Sequence, residues 1–292
     1  MRLLVVGGSG FLGGYVLREA VRQGHHILAL ARSSAAAVAV EGNGARPIAG
    51  DLNDTRRLDE AFSATQCEAL VCLASLGHGH GPEIVAAAEE AGIPRAVFVS
   101  TTAVTTTLHP ATKQVRLTAE QQIRGSGLHW TILRPTMIYG DADDRNLSRL
   151  LRLLSRAPVL PVPRTGQSLH QPVHVADVAA AVLTALQRPV AIGALYDVAG
   201  PEPLPFTELL HTCARAVGSR TRLVPVPLAP LVTLTRGYEL LSSHPRIRSE
   251  QLLRLAEDKV FPIDDAIRDL GYAPRAFASG IADEARLLGL AA

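Results

Sequence analysis

Three glycines stand at a G-x-x-G-x-x-G spacing in Gly7-Gly8-Ser9-Gly10-Phe11-Leu12-Gly13, directly after the apolar run Arg2–Val6. One glycine permits a tight turn, one lets backbone approach a pyrophosphate, and one lets a following helix pack on the strand. A helix opening at Phe11 presents the backbone N–H groups of its first turn, with a partial positive charge, to phosphate oxygens. The expected chemistry is therefore dinucleotide binding. A glycine turn with no ligand is the plainer reading. The strand before it, the helix after it and a second strand about 20 residues on favour the phosphate site.

The tip of that second strand bears on which dinucleotide. An acidic residue there would bond the ribose 2′-hydroxyl of NAD. The chain has Arg32-Ser33-Ser34 instead. A guanidinium with hydroxyls suits a 2′-phosphate, so NADP is expected ahead of NAD.

These residues need a parallel sheet to position them. The chain has 292 residues, 47% hydrophobic and 19% charged, a globular composition that excludes a disordered or fibrous protein. Strands are predicted at Arg2–Val6, His26–Ala31, Arg46–Ala49, Ala69–Ala74, Ala96–Ser100 and Trp130–Arg134. Helices are predicted near Phe11–Gln23, Asp54–Ala64, Pro82–Ala91 and Ala111–Arg124. This alternation predicts an α/β, Rossmann-type doubly wound parallel sheet, whose ligands sit beyond the carboxyl ends of the strands. Residues 1–140 form the dinucleotide-binding domain in this reading. Residues 141–292 form a smaller, mostly helical C-terminal substrate domain, from which 174–200 returns to the sheet. There, a helix Asn146–Arg156, a proline-rich loop, a helix His174–Gln187 and a strand Leu195–Val198 precede a largely helical remainder.

A formal net charge of +2 offers no footprint for nucleic acid. Cys67, Cys72 and Cys213 form no C-x-x-C pair and read as reduced, buried thiols. No signal peptide precedes the first strand, and the longest apolar stretch, Leu223–Thr235, is too short and too rich in proline to span a bilayer. A cytoplasmic protein is expected. The stretch Leu223–Leu241 suits core, an apolar substrate cavity or a subunit contact such as a homodimer's.

The motifs together resemble the short-chain dehydrogenase/reductase superfamily, in its extended and atypical branch (epimerase/dehydratase-like and NmrA-like). The likeness includes the glycine spacing, Gly50-Asp51-Leu52, Cys72-Leu73-Ala74-Ser75, Glu83–Ser100, Leu133–Gly140, Pro172–Asp177 and Tyr196–Leu209. The resemblance implies that Asp51 and Leu52 lie at the adenine and that Ala74 and Ser75 line the ribose and pyrophosphate. It also implies that Ser100, Pro135 and Thr136 face the nicotinamide side. The expected activity is NADP-dependent oxidoreduction of a small carbonyl or hydroxyl substrate.

The same resemblance exposes a gap. The family pairs a Ser/Thr after the fifth strand with Tyr-x-x-x-Lys on the next helix, the tyrosine exchanging a proton with the substrate oxygen. Thr102, within Ser100-Thr101-Thr102, matches the first group best. No Tyr-x-x-x-Lys or Tyr-x-x-x-Arg occurs, and Lys113 and Lys259 are the only lysines among 29 basic side chains. With Glu120 in register, Arg116 falls in the lysine slot and Thr112 in the tyrosine slot. Arginine keeps the charge that holds ribose hydroxyls, whereas threonine is a poor proton donor. His109 with Lys113 is the alternative pair, and the proton is left to His109, Tyr139 or a water. A silent NAD(P)H-binding sensor or assembly factor is the competing reading.

His78 and His80 read as part of a cofactor-covering loop rather than a metal site, since no further ligand accompanies them. His170 and His174 flank Pro172 near the expected substrate cleft, with helix-start packing the plainer role for His174. Asp141, Asp143 and Asp144 read as a solvated helix start.

Overall fold

The computed structural model describes residues 1–108, 110–144, 146–163, 167–242 and 249–291. The strands are β1 (Arg2–Val6), β2 (His26–Ala31), β3 (Arg46–Ala49), β4 (Ala69–Cys72), β5 (Arg95–Val99), β6 (His129–Pro135), β7 (Ile138–Tyr139), β8 (Val159–Pro163), β9 (Leu169–His170), β10 (Val173–His174), β11 (Ala194–Val198), β12 (Leu204–Pro205) and β13 (Arg222–Val226). The helices are α1 (Phe11–Arg22), α2 (Ser34–Gly42), α3 (Thr55–Ser63), α4 (Gly81–Glu90), α5 (Ala111–Gly125), α6 (Leu147–Leu154), α7 (Val175–Gln187), α8 (Phe206–Ala216), α9 (Leu228–Leu241), α10 (Ser249–Arg254), α11 (Asp264–Leu270) and α12 (Phe277–Leu287).

Seven strands form one parallel sheet in the order β11-β6-β5-β4-β1-β2-β3. Leu3, Leu4, Val5 and Val6 of β1 are almost wholly buried, because helices cover both faces of the sheet. One face carries α1 and α7 over Leu3, Val5, Val71 and Val97. The other packs α3, α4 and α5 over Leu4, Leu70, Phe98 and Ile132. Burying each such side chain stabilises the fold by about 1.5–3 kcal/mol. The order reverses between β1 and β4, which opens a crevice at their carboxyl ends.

A third core joins α6, α8 and α12 through Leu151, Leu154, Leu209, Cys213 and Ile281. The chain between the second and third cores crosses back, since α7 packs on α1 and β11 extends the main sheet beside β6.

Two local expectations are corrected. Val159–Pro163, expected as a proline-rich loop, form β8, which pairs in parallel with β13 inside the stretch expected to be helical. Pro161, Pro163 and Pro225 fit there because each strand of a two-stranded sheet has an edge that donates no ladder hydrogen bond. Between β2 and β3 the chain also forms α2, which was not expected. Its Ala- and Val-rich sequence lacks a clear apolar stripe, and only Val40 of it is buried.

Candidate functional site

The glycine turn connects β1 to α1 at the crevice. Gly7 has φ +87°, and a Cβ there would lie 2.8 Å from the Ala74 nitrogen at the end of β4. At Gly13 a Cβ would drive into the carbonyl oxygens of Gly7 and Gly8, so only glycine lets α1 sit this close to the turn. Among the described residues no side chain caps the N-terminus of α1. Phe11 and Leu12 contribute backbone there, for the Leu12 side chain is in the core and the Phe11 ring packs edge-on against Tyr15. A helix start without a side-chain cap, above a turn built mostly of glycine, fits a pyrophosphate.

A cavity of about 830 Å³ opens over the turn, lined by Gly7, Ser9, Gly10, Asp51, Leu52, Ala74 and Ser75. Arg32, His78 and His80 line it as well. Asp51 accepts hydrogen bonds from the Asn53 backbone at 3.0 Å and side-chain amide at 2.9 Å, which lower its pKa. Arg32 and His80 lower it further by their charge. Ser33 accepts from Ala36 N at 3.2 Å as the N-cap of α2, and its O–H remains a donor. A neighbouring recess of about 450 Å³ adds Arg57 to Arg32. The sequence reading missed Arg57, which lies on α3 and reaches the recess only through the packing of that helix.

A second cleft of about 550 Å³ lies at the same carboxyl edge, beyond β5 and β6. Thr101, Thr102, Thr136 and Met137 line one side, and Arg254, Glu257, Asp258, Lys259 and Phe261 the other. The Thr102 hydroxyl is buried and donates to the Pro135 carbonyl at 3.3 Å. Thr136 donates to the Gln171 carbonyl at 2.5 Å. Among the described residues Thr101 Oγ1 accepts from Ala103 N at 3.2 Å and donates to none, so its O–H is left to donate at the cleft. Ser100 is turned away, donating to Glu120 at 2.5 Å beside the Arg134 ion pair.

Arg116 lies over Gly77, where a Cβ would stand 2.9 Å from the guanidinium carbon, and it contacts Thr112 one turn earlier. Burial and then the charge of Arg254 lower its pKa. Thr112 is exposed. Lys113 points elsewhere and donates to the Thr106 carbonyl at 2.5 Å. His109 lies outside the described residues.

Tyr139 is not a proton donor to this cleft, which corrects that expectation. It is wholly buried between His174 and Phe277, with ring centroids 5.3 Å from each, and burial raises its pKa. His174 caps α7, accepting from Ala176 N at 3.2 Å, while His170 packs against Phe206. Burial pushes both imidazoles down to about 4, so they are neutral at pH 7.

A family model described as NAD(P)H-binding matches residues 7–189, which begins at the glycine turn and runs through α7. The chain belongs to the NAD(P)H-binding family. It is 28% identical to a 4-hydroxy-2-methyl-3-oxo-4-farnesyl-3,4-dihydroquinoline-1-oxide ketoreductase of Stigmatella aurantiaca, over 94% of this chain and 92% of that protein. A 2-alkyl-3-oxoalkanoate reductase of Stenotrophomonas maltophilia is 27% identical, covering 94% and 95% respectively. A photosystem II assembly factor of Synechocystis is 24% identical over 79% of this chain and 72% of its own. The fold matches the NAD complex of the UDP-glucose 4-epimerase of Thermus thermophilus with a TM-score of 0.73, 18% identity and 99% of both chains covered. These neighbours bear out the expected resemblance to extended and atypical short-chain dehydrogenase/reductases and the Rossmann-type sheet. No helix among the described residues is long and apolar enough to cross a membrane.

Proposed function

We propose that this protein is an NADPH-dependent reductase of a small carbonyl substrate. The observation that carries the reading is a phosphate-fitted glycine turn sharing one sheet edge with a separate, threonine-lined cleft. Its likeness to two ketone-reducing proteins along nearly its whole length supports the same conclusion. Arg32 and Arg57 favour NADPH over NADH, since both guanidinium groups border the recess where a 2′-phosphate would lie.

A reduced nicotinamide, when bound, supplies a hydride to the carbonyl carbon. Gly7, Ser9, Gly10 and the start of α1 hold the pyrophosphate, with Asp51, Leu52, Ala74 and Ser75 around the adenosine. Arg116 takes the lysine slot and holds ribose hydroxyls by charge and hydrogen bonds. Thr101 donates to the substrate oxygen, and Thr102 fixes the floor beneath it through Pro135. Thr112 is tied to Arg116, so the proton comes from water in the open cleft or from His109.

NADPH oxidation across a panel of ketones, aldehydes and oxo acids tests this reading. Turnover with at least one class, reduced by Thr101→Val, is the expected result; no turnover with any class overturns it.

The missing Tyr-x-x-x-Lys and the likeness to an assembly factor favour a second reading, a cofactor-bound partner of another protein. Co-purification of one partner that dissociates when NADPH is removed would support it. A cytoplasmic location fits the three buried, unpaired cysteines. The exposed Leu234, Leu240 and Leu241 of α9 offer a homodimer its contact.

A further inference from the structure

We infer that the substrate of the second cleft is an oxo acid, whose carboxylate is held by Lys259 and Arg254. The inference rests on the reductase reading and names its substrate class. Lys259 is one of two lysines in the chain, and it stands in the cleft wall opposite Thr101 and Thr102. Its ammonium has neither a hydrogen-bond acceptor nor an ion-pair partner among the described residues. Arg254, also in that wall, pairs with Glu250 through Nη2 at 3.0 Å. Its Nε is buried without a hydrogen-bond partner among the described residues. A buried donor of this kind, attached to a charged group, is costly unless a ligand completes it.

The carboxylates of the cleft are already engaged. Glu257 accepts from Thr106 Oγ1 at 2.6 Å, from Thr107 N at 2.9 Å and from the Thr107 hydroxyl. Asp258 accepts from Leu169 N at 2.8 Å. Like charges meanwhile accumulate: Arg254 lowers the pKa of Arg116 and, after burial and against the pull of Glu257, that of Lys259. Cations brought together in a partly desolvated wall favour an anion between them.

The cofactor does not supply that anion. Its phosphates are accounted for at the glycine turn and beside Arg32, and the cavity there shares no lining residue with the cleft. Met137, Phe261 and Ala103 also line the cleft and give an acyl chain apolar surface. A carboxylate on Lys259 and Arg254 would leave the adjacent carbonyl to face Thr101.

The test compares 3-oxodecanoate with its methyl ester in wild type, Lys259→Met and Arg254→Met, following NADPH oxidation. Each variant is expected to cut the acid-to-ester ratio of kcat/KM by about ten- to a hundredfold. Lys259→Arg is expected to keep most of the preference, which a merely structural role for Lys259 would not explain. Equal use of acid and ester by wild type, or a ratio unchanged in both variants, overturns the proposal while leaving the reductase reading intact. Where neither compound is turned over, the reductase reading stands or falls with the wider carbonyl panel, and calorimetric titration decides this proposal. With the NADPH-loaded protein, binding of the acid that weakens in Lys259→Met sustains the anion site; no binding of the acid, or equal binding of acid and ester, overturns it.

Discussion

Arg116 Nη1 donates a hydrogen bond to Thr112 Oγ1 at 2.8 Å, so the residues expected in the family's lysine and tyrosine slots are bonded to each other. The contact follows from their i, i+4 spacing on α5. It orients the guanidinium over the Gly77 turn and leaves the slot without a phenol. A cation therefore remains at this edge while the usual proton donor does not.

The closeness of Arg116 to Gly77 gives the first prediction. Arg116→Ala is expected to weaken NADPH binding about tenfold, a loss of about 1.4 kcal/mol. Gly77→Ala would place a methyl group against the guanidinium carbon and turn Arg116 aside, weakening binding in the same direction. The double variant should bind no worse than Arg116→Ala, because both changes act through one side chain. Calorimetric Kd values for the three variants check this.

Arg32→Ala is expected to lower NADPH affinity about tenfold and leave NADH affinity within about twofold, as loss of an exposed charge-assisted contact predicts. Arg57→Ala should act in the same sense and more weakly, since its guanidinium also pairs with Asp54 at 3.3 Å. Equal losses for the two cofactors would remove the 2′-phosphate assignment.

Glu284 makes stability depend on pH. It is wholly buried beside Asp144, and burial followed by the charge of Asp144 raises its pKa from 4.5 to about 8. Below 4.5 the folded and unfolded chains both hold the proton, and this contribution is fully present. As pH rises the unfolded chain loses the proton first, so stability declines until the folded pKa near 8 is passed. Glu284→Gln should flatten that decline and be the more stable form at pH 8 by about 1–3 kcal/mol. Urea midpoints between pH 5 and 9 measure it.

Arg95 fastens the amino-terminal end of the sheet to α7. Its guanidinium donates to Ala96 O at 3.0 Å, His129 O at 2.5 Å, Thr131 Oγ1 at 2.7 Å and Ala185 O at 2.5 Å. Burial lowers its pKa to about 10, so it stays charged at pH 7. Arg95→Leu would strand those acceptors and is expected to cost about 3 kcal/mol. A lower urea midpoint at unchanged m-value would confirm a loss in the folded state.

The sheet and the dinucleotide edge were legible because their signals are local. An apolar run, a glycine spacing and the residue at a strand tip each act within a few peptide units. Gly7 and Gly13 declared their place in a tight turn before any contact was known. The absent Tyr-x-x-x-Lys was equally plain, being a spacing on one helix. Other features depended on partners distant in sequence. Pro161 became strand rather than loop because β13 pairs beside it. Tyr139, a plausible donor by position, was removed from the chemistry by His174 and Phe277 closing over it. The second cleft sets Thr101 and Thr102 against Arg254 and Lys259, about 150 residues further along the chain. Short-range backbone preferences fix the turn and the strand ends, whereas only the packing of the C-terminal helices and loops against the sheet brings those four side chains around one space.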